Sequence, residues 1–324
     1  MTPDWLVSAS DITAARRRIT DHIVRTPLVP SATLSREAGA RMLLKLESVQ
    51  PTGSFKLRGA ASRILALDRP GAGVVTASTG NHGRAVAHIA RELDVPATVC
   101  VSKHVPEGKR AALTDLGCDL RVAGDSQADA LREARALAEQ AGMALVHPFQ
   151  DPAVIAGQGT IGLELLEDEQ GLEAVVVPVS GGGLASGIAV ALKAARPDIR
   201  VVGVSMERGA TMAQSLEAGH PLELPEERSL ADSLQGGVGQ ATFALVRELV
   251  DEIVRVDEQA IWDGMRFAFD EHRLVLEGAA AVGIGAILAG QVDLTGPTAI
   301  VCTGANAEES QLQALAAGVE TPPG

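Results

Sequence analysis

Short apolar runs alternate with segments of helical spacing over most of this chain. Clear examples of the apolar runs are 74–78, 97–101, 174–179 and 200–204. Strands that alternate with helices of this length indicate βαβ units and parallel sheets. Because the runs are continuously apolar, we expect helices to cover both faces of each sheet. The pattern therefore predicts an α/β fold.

The number of strands favours two sheets over one. We expect a small domain at 53–146 and a large domain formed by 1–52 and 147–324. Further strands are predicted at 42–47, 119–122, 145–147, 252–256 and 298–302. Helices are predicted at 10–20 (with Asp11 as its cap), 82–93, 107–116, 127–141, 154–166, 184–195, 243–249, 258–272, 278–288 and 309–317.

Charge and aromatic content exclude some classes of function. The 324 residues include 41 acidic and 28 basic side chains, for a formal net charge of −13. This charge would repel nucleic acid, and a 2% aromatic content leaves no platform for stacking bases. The chain has no tyrosine, so a tyrosine acid or base is also excluded. A small-molecule substrate is the expected partner.

Cysteine and histidine spacing gives no sign of disulfides or metal. Cys100, Cys118 and Cys302 form no CxxC pair, which is typical of free thiols in a reducing compartment. The seven histidines form no HExxH motif. The first residues carry no signal-peptide pattern, and no apolar run is long enough to span a bilayer. We therefore expect a cytoplasmic protein without a membrane or metal site.

One lysine, Lys56, stands between Phe55 and Leu57, with glycines at 53 and 59. A lysine that forms a Schiff base must lose its proton, and partial burial lowers its pKa. The glycines would allow backbone to approach a bulky ligand. The alternative is an ordinary lysine at the start of a helix. This stretch alone favours the alternative.

Three loops between a strand and a helix change that judgement, because ligands in open α/β folds bind at the carboxyl ends of strands. The polar loop 78–83 opens a helix whose backbone N–H groups suit a carboxylate. The glycine run 180–184 suits a phosphate held by backbone amides. The loop 302–306 offers the hydroxyl of Thr303 at the end of the last strand.

Each loop also has an ordinary interpretation. Asn81 and Thr303 could be helix N-caps, and the glycine run could be a tight turn. The glycine spacing matches neither GxGxxG nor the P-loop, which disfavours a hydride-transfer enzyme or an NTPase.

Together the lysine stretch and the loops resemble the fold-type II enzymes that use pyridoxal phosphate (PLP). The nearest family is the serine/threonine dehydratases, with the serine racemases beside them. The matched motifs lie in the family's order and spacing, at 54–59, 79–83, 180–184 and 303–306. The resemblance implies a tryptophan synthase β-like fold of two open α/β domains with mainly parallel sheets. It also implies a homodimer.

The resemblance implies a role for each matched residue. Lys56 would hold PLP as a Schiff base, and Thr79 would be a second catalytic residue. Thr303 stands where the family usually has serine, and a neutral hydroxyl at the pyridine nitrogen favours elimination over transamination. Cofactor contacts would come from Phe55, Lys56, Asn81, Ser180, Gly181, Gly182, Gly183, Leu184 and Thr303. The substrate carboxylate would bind Ser78, Thr79, Gly80, Asn81 and His82.

The implied reaction is the loss of water from a β-hydroxy amino acid. The substrate displaces Lys56, whose freed amine takes the Cα proton as general base. PLP is the electron sink. The β-hydroxyl leaves as water, and the resulting enamine hydrolyses to a 2-oxo acid and ammonia.

The chain departs from the family at several positions. The racemase branch binds a divalent metal through acidic residues where this chain has Ser205 and Thr211, so no metal is carried over. The hydroxyl of Thr79 falls where racemases place a serine, which leaves racemisation open. The loop 230–237 is richer in glycine than the usual dehydratase loop, which indicates a substrate other than ordinary serine or threonine.

The segments 78–85, 203–210 and 229–234 resemble the hydroxyectoine-utilisation dehydratases, a subgroup of the family. A hydroxylated diaminobutyrate derived from hydroxyectoine is thus a candidate substrate. The open alternatives are an amino-acid racemase, a 3-hydroxyaspartate dehydratase and a non-catalytic binding protein of the same fold. The chain ends soon after the last motif, so control by isoleucine through a C-terminal effector domain is not expected.

Overall fold

A computed structural model describes residues 7–68, 71–105, 107–225 and 227–323. Its strands are β1 (Leu28–Pro30), β2 (Met42–Leu46), β3 (Val74–Ala77), β4 (Ala97–Val101), β5 (Asp119–Val122), β6 (Ala144–Leu145), β7 (Ala174–Pro178), β8 (Arg200–Met206), β9 (Glu252–Val256) and β10 (Thr298–Cys302). Its α-helices are α1 (Ala9–Ile19), α2 (Ala32–Ala38), α3 (Lys56–Ile64), α4 (Asn81–Glu92), α5 (Glu107–Asp115), α6 (Gln127–Ala141), α7 (Pro152–Asp168), α8 (Gly183–Ala195), α9 (Thr211–Ala218), α10 (Gln240–Leu249), α11 (Glu258–His272), α12 (Gly278–Leu288) and α13 (Glu309–Ala316).

The strands form two sheets, as predicted. The larger has the order β1-β2-β10-β7-β8-β9, in which β1 alone runs antiparallel to its neighbour. The smaller has the order β5-β4-β3-β6, and all its pairs are parallel. Parallel strands end at one edge of each sheet, so the loops that follow them are brought together.

Helices cover both faces of the larger sheet, which explains its continuously apolar strands. Every residue of β2, β7 and β10 is buried. Trp262 and Ile284 belong to the core on one face, and Ile188 and Leu192 belong to the core on the other. The prediction that helices cover both faces is therefore confirmed for the larger sheet.

Helices α2 and α9 were absent from the prediction, and a helix that starts at Lys56 was considered only as the alternative for that lysine. The short strand β1 follows a turn at 25–28 that was expected to lead into an extended segment. Helix α3 was not predicted in its own right because the polar Arg58 and Ser62 interrupt its apolar spacing, although both are fully buried. The predicted cap of the first helix was also wrong. Ser8 is the N-cap of α1, and Asp11 is the third helical residue of a capping box with it.

All strands of the smaller sheet lie inside the predicted small domain, and α3 packs against both α4 and α7. The domain boundaries at 53–146 therefore stay a prediction. The three cysteines are buried and unpaired. Within the described ranges, no helix is both long enough and apolar enough to cross a bilayer.

Candidate active site

The lysine stretch and the last-strand loop lie side by side. The N–H of Phe55 donates to the carbonyl of Thr303 at 3.0 Å, and the N–H of Ala305 donates to the carbonyl of Gly53 at 2.9 Å. Ser54 and Gly304 form an antiparallel bridge between these contacts. Two motifs from opposite ends of the sequence thus form one backbone unit.

Lys56 is the first residue of α3 and is half-buried. Its Nζ donates to the carbonyl of Pro148 at 3.2 Å and lies 5.2 Å from the centroid of the Phe55 ring. Burial lowers the pKa of Lys56 to about 8, against an opposing effect of the Glu277 carboxylate. Part of the Lys56 population is therefore the neutral, nucleophilic amine near neutral pH.

The turn at 147–150 holds the carbonyl that Lys56 contacts. Nδ1 of His147 accepts the N–H groups of Phe149 and Gln150 at 3.4 and 3.2 Å. Burial, aided by the positive charges of Arg135 and Lys56, lowers the pKa of His147 to about 4, so its ring is neutral and can accept. Sequence analysis missed this turn because its contact with Lys56 is made by a backbone carbonyl, which leaves no side-chain signal.

Asn81 is held by two side chains from the other end of the chain. Its Nδ2 donates to Oε1 of Glu277 at 2.7 Å, and its Oδ1 accepts Nδ2 of Asn306 at 2.7 Å. Helix α4 begins at Asn81, and its N-cap is Gly80 without a side-chain cap bond. The interpretation of Asn81 as an ordinary N-cap is therefore wrong.

Glu277 is a buried acid that sequence analysis missed. Burial, together with the charge of Asp232, raises the pKa of Glu277 to about 7, while the bond from Asn81 and the charge of Lys56 oppose the rise. Glu277 directly precedes the apolar helix α12, and an acidic residue at this position is typical of a helix N-cap. Yet its side chain makes no cap bond.

The polar loop before α4 forms an open edge beside buried groups. Ser78 and Thr79 are half-buried, Gly80 is exposed, and Asn81 and His82 are buried. Helix α4 starts here with backbone N–H groups that no side chain caps, an arrangement that suits a carboxylate.

His82 is neutral, and its ring donates one hydrogen bond. Its Nε2 lies 2.9 Å from the carbonyl of Val146, which only accepts, so Nε2 carries the hydrogen. Nδ1 is buried and has no partner in the part of the chain that the structure describes. Burial first, then the charges of Lys56 and His147, lowers the pKa of His82 to about 3. A carboxylate contact at His82 must therefore use its backbone N–H.

The glycine loop leads into α8 and has no room for side chains. A Cβ on Gly181 would lie 2.7 Å from the Phe149 ring, and one on Gly183 would lie 2.9 Å from the Phe149 Cα. Gly182 has φ 89°, a left-handed conformation that favours glycine, and caps α8 without a side-chain bond. Leu184 is buried in the first turn. The loop thus offers backbone amides to an anion.

Ser180 and Thr303 complete the edge. Ser180 is half-buried, and its Oγ donates to the carbonyl of Gln235 at 3.2 Å, which ties the glycine-rich loop 230–237 to this edge. Thr303 is buried, and the next helix starts only at Glu309. The interpretation of Thr303 as an N-cap is therefore wrong.

These residues fit PLP. The half-buried amine of Lys56, with its lowered pKa, suits the PLP aldehyde. The three glycines 181–183 at the start of α8 suit the phosphate, and the buried hydroxyl of Thr303 suits the pyridine nitrogen. Ser205 and Thr211 are both buried. No group of three potential metal ligands is found among the described residues.

Comparison with known proteins identifies relatives along nearly the whole chain. The family of pyridoxal-phosphate dependent enzymes matches residues 19–304. A putative threonine dehydratase of Sinorhizobium fredii is 48% identical over 93% of this chain and 92% of its own. An L-threonine ammonia-lyase of Thermotoga maritima is 40% identical over 96% of this chain and 78% of its own. The structure of maize serine racemase has a TM-score of 0.91 at 32% identity, covering 98% of this chain and 99% of the racemase.

Lys56, the glycine loop 180–184 and the two mainly parallel sheets define a cofactor-dependent α/β enzyme. The chain belongs to the pyridoxal-phosphate dependent enzymes of fold type II, and its cofactor is PLP. The predicted family, fold class, cofactor and enzymatic nature are confirmed. The narrower assignment to the hydroxyectoine subgroup stays a prediction, as do the roles of the individual site residues.

Proposed function

We propose that this enzyme is an ammonia-lyase that eliminates water from a β-hydroxy amino acid of the threonine and serine class. The observation that carries the proposal is the environment of Lys56. This amine is half-buried and has a pKa lowered to about 8, and it lies between the Phe55 ring and the Pro148 carbonyl. The relatives named threonine dehydratase and threonine ammonia-lyase support the same reaction.

Each part of the cofactor has a matching group. Lys56 would bond its aldehyde carbon, and Asn81 would contact its ring oxygen. Thr303 would contact its pyridine nitrogen. The 180–184 backbone would hold its phosphate, and Phe55 would pack beside it. When bound, PLP supplies the electron sink for the pair left by the Cα proton.

The side chains around that cofactor would divide the remaining work. The N–H groups at the start of α4 and the loop residues Ser78 and Thr79 would orient the substrate carboxylate. Lys56, once displaced by the substrate amine, would take the Cα proton as general base. The β-hydroxyl leaves with a proton as water. A second water is consumed when the released enamine hydrolyses, so the net products are a 2-oxo acid and ammonium.

The test is a substrate screen with the purified holoenzyme. L-threonine, L-serine, 3-hydroxyaspartate and the hydroxylated diaminobutyrate from hydroxyectoine would each be incubated, and ammonia and 2-oxo acid would be measured. We expect both products in equal amounts from at least one substrate. Ammonia without 2-oxo acid, or neither product from all four, would overturn the proposal.

Racemisation is the second candidate. It is supported by the half-buried hydroxyl of Thr79 and by the likeness to maize serine racemase. Chiral chromatography of the same incubations separates the two activities, since a racemase yields the D-isomer without ammonia. Thr79→Ala should abolish racemisation if that hydroxyl serves the opposite face of the cofactor.

The substrate, assembly and location are narrower proposals. The resemblance of three segments to hydroxyectoine-utilisation dehydratases supports a hydroxylated diaminobutyrate as the substrate. Three buried, unpaired cysteines support a cytoplasmic location. A homodimer follows from the family resemblance, and light scattering of the purified protein would test it.

A further inference from the structure

A chain of hydrogen bonds links Glu277, Asn81 and Asn306 to the lysine stretch. Asn81 donates to Glu277 and accepts from Asn306, both at 2.7 Å. The same Nδ2 of Asn306 also donates to the carbonyl of Thr52 at 3.0 Å. The backbone N–H of Asn306 donates to Glu277, and the N–H of Glu277 donates to the carbonyl of Gly304 at 3.1 Å. Each member is therefore held at more than one atom.

These hydrogen bonds fix the orientation of the Asn81 amide, that is, which side carries its oxygen and which its nitrogen. The carbonyl of Thr52 can only accept, so the nitrogen of the Asn306 amide must face it. The second hydrogen of that nitrogen then meets the oxygen of Asn81. If the Asn81 amide were flipped, its nitrogen would face Nδ2 of Asn306, so two donors would meet. Its oxygen would face the Glu277 carboxylate, so two acceptors would meet. The amide of Asn81 thus has one N–H group left to donate to a ligand.

Two glycines of the matched motifs make room for this arrangement. A Cβ on Gly304 would lie 2.7 Å from Oε1 of Glu277. A Cβ on Gly53 would lie 2.9 Å from Oδ1 of Asn306, and Gly53 has φ +72°. Arg84 reaches the same Asn306 oxygen at 3.4 Å. The glycines at these positions are thus explained by the packing of Glu277 and Asn306.

We propose that Asn306 and Glu277 are positioning residues that present an N–H of Asn81 to the ring oxygen of PLP. A donor aimed at that oxygen favours its ionised form. This inference rests on the proposed contact between Asn81 and the cofactor. The charged groups that act on Glu277 are Lys56 and Asp232, and neither replaces the amide contacts.

The experiment is a double-mutant cycle on the holoenzyme. Asn306→Ala removes the donor to Asn81, and Asn306→Asp replaces that donor with an acceptor of the same shape. The readouts are the cofactor retained after dilution and the ratio of the visible to the near-ultraviolet absorbance of the bound cofactor. We expect about tenfold weaker retention and a lower ratio for either variant, the size of one charge-assisted hydrogen bond. Glu309→Gln, on the exposed start of α13, is the control.

The cycle tests whether the effect passes through Asn81. In the Asn81→Ala background, Asn306→Ala and Glu277→Gln should change neither readout further, because no amide remains to be oriented. Additive losses would overturn the proposal, since they would show a merely structural role. If Asn81→Ala alone left both readouts unchanged, the cofactor contact and this inference would fail together. The proposed role of Lys56 would be unaffected.

Discussion

Two cations, the half-buried Lys56 and the fully buried Arg58, lie two residues apart on α3, and their surroundings differ completely. Arg58 is fully buried and bonds two carboxylates: Glu47 at 2.8 Å through Nε and Nη2, and Glu164 at 2.6 and 2.9 Å. Lys45, also fully buried, contacts the same Glu164 at 2.7 Å. Lys56 forms no salt bridge with any residue that the structure describes. It contacts one carbonyl and one aromatic ring.

The difference separates a charge that holds structure from one that reacts. The carboxylates of Glu47 and Glu164 raise the pKa of Arg58 despite burial, and Arg58 keeps the pKa of Glu47 low. These charges are therefore fixed at every physiological pH. Near Lys56, by contrast, nearby charges only partly offset the effect of burial. Burial lowers the pKa of Lys56 to about 8 and raises the pKa of Glu277 to about 7. Groups that titrate near neutrality can move protons.

The largest effect should come from removing the reactive amine. Lys56→Ala should abolish the covalent attachment of the cofactor and reduce ammonia release by at least about 10⁴-fold, the upper end for a general acid–base group. The free energy of unfolding of the cofactor-free protein should not fall, because Lys56 pairs with no carboxylate and burial disfavours its charged form. Visible absorbance, ammonia release and urea unfolding measure the three quantities.

The matched control for that change is Lys103→Ala, at an exposed lysine paired with Asp125. It should leave absorbance and ammonia release unchanged. Survival of both colour and ammonia release in Lys56→Ala would remove the basis of the comparison, because the unpaired cation would then have no chemical role.

Removal of the paired cation should act on stability instead. Arg58→Leu leaves Glu47 buried without its salt-bridge partner and Glu164 with Lys45 alone, and should lower the free energy of unfolding by about 3–5 kcal/mol. The folded fraction should keep most of its activity. Urea unfolding followed by circular dichroism gives the stability, and Arg200→Leu, at a half-exposed pair with Glu252, is the control. A loss below about 1 kcal/mol would contradict the assigned structural role.

The unpaired acid should give the protein a specific pH dependence. The pKa of Glu277 is raised from 4.5 to about 7 by burial, so the folded state binds this proton more tightly than the unfolded state. Its contribution to stability is complete below about pH 4.5 and is lost as the pH rises to about 7. The loss amounts to about 3 kcal/mol at 1.36 kcal/mol per pKa unit.

Glu277→Gln should lack that loss, because glutamine does not ionise. Urea unfolding of both cofactor-free proteins between pH 5 and pH 7.5 measures the difference, in a range below the pKa of Lys56. Glu309→Gln should follow the wild type throughout. Parallel pH curves for wild type and Glu277→Gln would show that Glu277 keeps an ordinary pKa.

The sequence predicted the strands well because their apolar runs report burial directly. Strands β7 and β10 consist almost entirely of apolar residues, and the bounds of both were predicted to within one residue. The lysine, the glycine loop and Thr303 each had an ordinary interpretation alone, and only the resemblance of four motifs in register singled them out together. Their individual roles stay predictions.

What failed has a common physical cause. Helix α3 was not predicted in its own right because a buried Arg58 looks like an exposed one until its carboxylates are known. Glu277 was missed because an acid before an apolar helix is the pattern of a cap. The contact between Pro148 and Lys56 uses a backbone carbonyl, which every residue has. Each depends on a partner that is distant in sequence, and local patterns do not contain that information.

The smallest effect should come from the exposed end of the same ion network. Arg25 is 47% exposed in its side chain and bonds Glu167 at 2.6 Å and also Asp168, which in turn contacts the buried Lys45. Solvent screens this pair, so Arg25→Ala should cost about 0.5 kcal/mol and at most about 1 kcal/mol. In 1 M salt, where the screening length is about 3 Å, that cost should vanish. The cost of Arg58→Leu should persist in the same salt, because water does not reach its carboxylates. Equal salt sensitivity of the two variants would mean that the number of contacts, and not burial, distinguishes the two ends of the network.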